Sequence, residues 1–295
     1  MMPLLPGVRM DHHAGLPALC VHTPLCRAAI SLHGGQLLSF VPEGGQDVLW
    51  LSPATTRPPG ALRGGVPVCW PYFGRQGQSA DAPQHGHARL SRWHLVDAAR
   101  EADGVVRITL ALPQRPGDGL MLAQTLRLGH VLEQTLTTVN TGDATLAFSQ
   151  ALHSYFHVGD AMQASLAGVD GLRYADKLDG GEHLQAGDWT LDDPRDPGRC
   201  DRVYVDALGR YVLSDPANRR RLHIETRGSA SLVVWNPGAA GAPADVPADG
   251  WRQFVCVEAA NAGADAVTLA PGARHALSQR ILVEEVSRIT AVGAT

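Results

Sequence analysis

Three consecutive runs of this chain, residues 105–112, 121–128 and 131–139, alternate apolar and polar residues with a period of two and are separated by Gly/Pro or Gly-His breaks. That period sends successive side chains to opposite faces, so each run reads as a strand with one face on a core. Together they read as an antiparallel meander. Further strand candidates are 211–214, 222–226, 232–235, 254–258, 267–269 and 275–284. Helical periodicity over ten or more residues is hard to find. The 32 glycines and 20 prolines fall mostly between strand candidates, where turns need them. The expectation is an all-β chain, a large antiparallel β-sandwich. No repeat of roughly 20–50 residues is visible, which weakens a propeller reading. Residues 238–249 read as a loop because strand patterns continue on both sides. Residues 1–295 are therefore expected to form one domain, with 1–16 loosely anchored.

Several function classes drop out on composition. The net charge is −4 and there is no long basic run, which argues against a general nucleic-acid or anionic-membrane binder. No apolar run approaches the roughly 18 residues needed to cross a bilayer, and no secretion signal opens the chain. The five cysteines are odd in number and scattered without a Cys-x-x-Cys, so neither a disulfide framework nor a structural zinc site is expected. A reduced, cytoplasmic location follows as an expectation. There is one lysine, Lys177, against twenty-four arginines. Schiff-base chemistry would have to use it. It sits in Ala175-Asp-Lys-Leu-Asp-Gly180, which reads as an exposed turn, and that chemistry is set aside.

Two strings carry the candidate chemistry. Ala151-Leu-His-Ser-Tyr-Phe-His-Val158 and Phe254-Val-Cys-Val-Glu-Ala259 each place an ionisable group in an otherwise buried strand. Burying such a group is costly unless it is paired, hydrogen-bonded or neutralised. His153 and Glu258 are therefore candidates for proton transfer to and from two oxygens of one small molecule. Alternation puts His153, Tyr155 and His157 on one face, and Glu258 on a face with Phe254 and Cys256. Arg63, in Leu62-Arg-Gly-Gly-Val-Pro-Val-Cys-Trp-Pro-Tyr-Phe-Gly74, reads either as a clamp for an anion or sugar hydroxyls or as a surface arginine beside a turn. Gln84-His-Gly-His-Ala-Arg89 allows three readings: a cupin-like metal site, a polar pocket wall with His85 and Arg89 facing a ligand, or a solvated loop. The metal reading lacks the carboxylate a cupin string carries a few residues on. Asp201, in Cys200-Asp-Arg-Val-Tyr204, is either a ligand contact or the cap of a turn.

In order and approximate spacing from about residue 25 to 284, six strings resemble the aldose 1-epimerase (galactose mutarotase-like) superfamily, most of all its hexose-6-phosphate mutarotase (YeaD-like) branch. They are Arg63-Gly-Gly-Val-Pro-Val-Cys-Trp-Pro, Gln84-His-Gly-His-Ala-Arg, Leu152-His-Ser-Tyr-Phe, Asp201-Arg-Val-Tyr, Val234-Trp-Asn-Pro-Gly238 and Phe254-Val-Cys-Val-Glu-Ala. The resemblance implies a β-sandwich with an open cleft on one sheet and a reaction that uses no metal or cofactor. In that reaction Glu258 is the general base on the anomeric hydroxyl and His153 the general acid on the ring oxygen. His85 and Asp201 would hold sugar hydroxyls, and Arg63 and Arg89 would face a 6-phosphate. The implied partner is a small-molecule hexose phosphate, probed by a monomer or weak homodimer. An aldose 1-epimerase for unphosphorylated sugar and a non-catalytic carbohydrate-binding sandwich are the alternatives. One departure is His87, where the family string commonly carries an aromatic residue; a more polar pocket is expected there.

Overall fold

The computed structural model describes residues 5–75, 77–115, 117–195, 198–207 and 209–286. Two large antiparallel sheets dominate it. The first, the site sheet, runs in the order Glu182–Leu184, Arg173–Asp176, Cys200–Val205, Ser231–Asn236, Phe254–Asn261, Gln150–Leu152 and Val68–Cys69, with Tyr155–His157 also paired to Phe254–Asn261. The second, the backing sheet, runs Trp189–Thr190, Ser165–Ala167, Arg210–Asp215, Arg220–Arg227, Arg274–Glu285, Leu132–Asn140, Leu120–Leu128, Val106–Ala111 and His94–Arg100. The meander expected from the two-residue period is thus the far half of the backing sheet.

The period explains the layering. In Leu132–Asn140 every second residue, from Leu132 to Asn140, is buried. Those residues meet the inner face of the site sheet, where Leu152, Val234 and Val257 join Leu136, Ile224 and Leu277 in one apolar core. The outer face of the backing sheet is charged and half in water, as where Arg127 pairs with Glu101 and Glu133. Burying one face and wetting the other is what clean alternation encodes. The sole α-helix among the described residues, Gly238–Gly241, is a single turn inside the loop 238–249. None of the helices described is long and apolar enough to cross a membrane.

The N-terminal expectation needs correction. Of residues 1–16, the structure describes 5–16, and these are not loose throughout. Val8–His13 pairs along its whole length with Leu16–His22 and opens a four-stranded meander that continues through Cys26–Ser31 and Gln36–Pro42. Val8 lies in the main core. The short polar run 9–13 hides this anchoring, because an edge strand exposed on most residues carries little apolar signal.

Candidate functional site

Phe254–Asn261 is buried at all eight positions. It is central in its sheet, with one face on the sandwich core and the other covered by loops. On that loop-covered face, pairing aligns Val203 with Val233, and Val233 with Glu258. The next strand pairs Leu152 with Ala259 and Tyr155 with Cys256. That unbroken register puts His153 directly opposite Glu258. The imidazole Nδ1 stands 3.4 Å from Glu258 Oε1.

Apolar clusters flank this polar pair on both sides. One holds Cys69, Phe73, Ala151, Val233 and Ala260. The other holds Trp50, Tyr155, Val246, Phe254 and Cys256, with Trp235 against it. His153 is caged by rings. It stacks on Tyr155 at 4.9 Å and 8°, and meets Trp235 and His85 edge-on. His153 and Tyr155 share a face, as the sequence reading has it, but the strand there is two short pieces, Gln150–Leu152 and Tyr155–His157. At the break the Ser154 amide donates to Leu152 O at 2.9 Å and the His153 amide to Pro67 O at 3.0 Å.

Burial governs the protonation of the pair. Glu258 is 1% exposed and His153 7%. Neither Glu258 Oε2 nor His153 Nδ1 has a hydrogen-bond partner. Desolvation holds the Glu258 carboxyl well above the ordinary carboxylate range, against the pull of Lys177. Desolvation likewise holds the His153 imidazole well below its ordinary value, helped by the positive fields of Arg89 and Arg63. Both shifts favour the neutral pair, a carboxylic acid beside a neutral imidazole, over the ion pair. It holds one transferable proton.

The open cleft over this pair holds about 210 Å³, room for one small polar molecule. All six residues singled out from the sequence line it: Arg63, His85, Arg89, His153, Asp201 and Glu258. Arg63 is braced. Its Nε donates to Asp245 Oδ1 and its Nη1 to Tyr155 Oη, both at 3.0 Å. Arg89 donates to Gln84 O but has no carboxylate partner among the described residues, and its buried Nε is unpaired. His85 receives the Gly74 amide on Nδ1 at 3.2 Å. Burial first, then the Arg89 charge, lowers its pKa well below the ordinary value. The neutral ring therefore carries its proton on Nε2, a tautomer assigned from that hydrogen bond. Desolvation raises the Asp201 pKa, opposed by Lys177.

The sequence reading passes over one cleft residue, Lys177, and over Asp245, the carboxylate that braces another. Lys177, read as an exposed turn, lines the cleft with Nζ 3.5 Å from Asp201 Oδ1 and 4.9 Å from the centre of the Phe73 ring. Its being the single lysine was the available signal. Asp245 arrives from the loop 238–249, which carries no local signal for a site. His87 corrects another expectation. It is not part of the cleft lining but packs edge-on against Trp70 at 5.4 Å, so it does not make the pocket more polar. His85 and His87 diverge, and among the described residues no three His, Cys, Asp or Glu side chains group as a metal site.

Comparison with known proteins gives the following likenesses. Residues 17–282 match the family described as Aldose 1-epimerase. A protein of Escherichia coli (strain K12) named "Putative glucose-6-phosphate 1-epimerase" is 37% identical over 272 residues, spanning 88% of this chain and 87% of that protein. One of Salmonella typhimurium with the same name is 36% identical over 270 residues, spanning 88% and 86%. The crystal structure titled a "putative mutarotase (YeaD)" from Salmonella typhimurium superposes with a TM-score of 0.86 at 32% identity, covering 97% of this chain and 96% of that one.

Proposed function

The chain belongs to the aldose 1-epimerase family, and from that premise we propose that its cleft interconverts the α and β anomers of a hexose 6-phosphate, with glucose 6-phosphate as the first candidate. The observation that carries this reading is the His153–Glu258 pair, 3.4 Å apart at the floor of a cleft lined by three cationic side chains. Glu258 takes the proton from the anomeric hydroxyl while His153 gives one to the ring oxygen. The C1–O5 bond breaks, C1 becomes an aldehyde, and rotation about C1–C2 presents its other face. On closure Glu258 returns a proton to O1 and His153 removes one from O5.

The proton count of the pair supports this cycle. Ring opening starts from carboxylate and imidazolium and ends with carboxylic acid and neutral imidazole. The second state is the one burial favours in the free cleft. Both states hold one proton, so a turnover exchanges nothing net with solvent. The gap of 3.4 Å keeps the two groups from a tight mutual hydrogen bond and leaves both free for a ligand. Each positioned group is worth about 10²–10⁴-fold.

The phosphate follows from charge. Asp245 offsets Arg63, and Asp201 partly offsets Lys177, but Arg89 has no such partner among the described residues. A ligand with a dianionic end would satisfy Arg89 and its unpaired Nε through strong charge-assisted bonds. His85 Nε2–H and Asp201 are then a donor and an acceptor for sugar hydroxyls. The bracing of Arg63 by Asp245 is the one feature that favours the second reading, an unphosphorylated aldose, for which Arg63 would act as a hydroxyl donor. Anomer-exchange NMR on glucose 6-phosphate and glucose separates the two. Absence of any enzyme-dependent exchange on either sugar would leave only a binding protein.

A further inference from the structure

Among the buried polar contacts between the two sheets, one forms a continuous row. The Ser154 hydroxyl donates to Gln279 Oε1 at 2.8 Å, Gln279 Nε2 to Gln134 Oε1 at 2.9 Å, and Gln134 Nε2 to Gln124 Oε1 at 2.6 Å. Gln124 Nε2 ends the row on Gly35 O at 2.6 Å. All four side chains are buried. Every amide accepts on its oxygen and donates from its nitrogen in the same sense, an arrangement in which each bond polarises the next. A sandwich core does not need this row for burial, and apolar residues of similar shape in its place are often neutral or stabilising. Its end on the site sheet is the residue after His153.

That end point is where the strand is irregular. Between Gln150–Leu152 and Tyr155–His157 the Val257 amide still donates to Ser154 O at 3.2 Å and the His153 amide to Pro67 O at 3.0 Å, but the Ser154 amide turns back to Leu152 O at 2.9 Å. The Ser154 amide therefore makes no cross-strand bond of its own. The hydroxyl bond of Ser154 supplies a restraint from behind. The other end of the row returns toward the cleft as well. Gln36, next to Gly35, donates to Gly64 O at 2.7 Å, beside Arg63, whose guanidinium holds the Tyr155 hydroxyl under the His153 ring.

We propose that Ser154 and Gln279 are positioning residues for His153, and that the glutamine row is the brace that holds the imidazole at its working distance from Glu258 and a bound sugar. The inference rests on the function proposed above for its kinetic reading only. Misplacing a catalytic group by about 1 Å is worth up to about 10²-fold in rate.

The test compares Ser154→Ala and Gln279→Met with Leu136→Ala, a core truncation on the backing sheet outside the row. Anomer exchange on glucose 6-phosphate is measured for kcat and KM, and the ¹⁵N resonances of the His153 ring are followed in the free protein. The expected result is a loss of about tenfold or more in kcat for the two row variants with KM within about twofold, together with displaced His153 resonances. Leu136→Ala is expected to lower Tm without either change. Retention of kcat within about twofold and unmoved His153 resonances in Ser154→Ala would overturn the proposal and make the row a purely structural feature. Should the wild type prove inactive, the function above fails, while the resonances still decide the brace.

Discussion

His153 and Glu258 face each other across neighbouring antiparallel strands, although 105 positions separate them in the chain and the ladder between their strands is interrupted at His153. The register on either side of the interruption is the same, so the imidazole stays opposite its partner. Two titratable groups are thereby held apolar-walled, unpaired and 3.4 Å apart.

The first consequence concerns rate. His153→Asn and Glu258→Gln are each expected to lower kcat for anomer exchange by about 10²–10⁴-fold, with KM little changed, since neither group is the main anchor of the ligand. Polarimetry or exchange NMR reads this directly. Full activity in either variant would remove that residue from the mechanism.

Stability is expected to move the opposite way. Glu258 has a folded pKa raised well above its ordinary value of 4.5 by desolvation. Above that ordinary value the unfolded chain has released the proton that the folded chain keeps. The folded state then binds more protons, and wild-type stability falls as pH rises, by up to about 1.4 kcal/mol per unit until the folded pKa is reached. Glu258→Gln has no such proton to lose. Its Tm is expected to exceed the wild-type value, with a gap that widens as pH rises above the ordinary carboxylate value until the folded pKa is reached. A gap that shrinks with rising pH in calorimetry would contradict a protonated Glu258.

Phosphate recognition is expected to be unequal among the cations. Losing a hydrogen-bonded charge contact costs about 1.5–3 kcal/mol. Arg89→Ala should therefore raise KM for glucose 6-phosphate by roughly 10–100-fold and leave KM for glucose within about threefold. Lys177→Met should do less, because its ammonium is half-exposed and partly matched by Asp201. Equal effects of Arg89→Ala on both sugars would point to the unphosphorylated substrate.

Gly86 offers a backbone test of how His85 is set. Its φ is +75°, and an added Cβ would lie 2.0 Å from Trp70 O. His85 itself takes a φ of +62°. Gly86→Ala is expected to cost about 3 kcal/mol or more in denaturant unfolding and to raise KM by displacing the His85 ring. Stability within about 0.5 kcal/mol of wild type would mean that this loop relaxes freely.

Much of the fold could be read from local periodicity. The runs at 121–128 and 131–139 became Leu120–Leu128 and Leu132–Asn140, and 267–269 became Val267–Leu269 without a shift. Alternation records which face of a strand is buried, and that is a property of neighbours along the chain. The first strand escaped because a short, mostly exposed edge leaves no such record. The ionisable residues His153 and Glu258 stood out for the same local reason, as charges inside apolar runs.

Sequence alone therefore determined the class of fold, the strands that carry the two ionisable groups, and the string order shared with a known family. Tertiary structure alone decided that residues 153 and 258 share a row, that Asp245 neutralises Arg63, that the lone lysine stands in the cleft and that His87 does not. The physical reason is range. Register and loop placement come from pairing and packing between residues far apart in the chain, and desolvation, which favours the neutral forms of Glu258 and His153, exists only once those distant surfaces have closed over the pair.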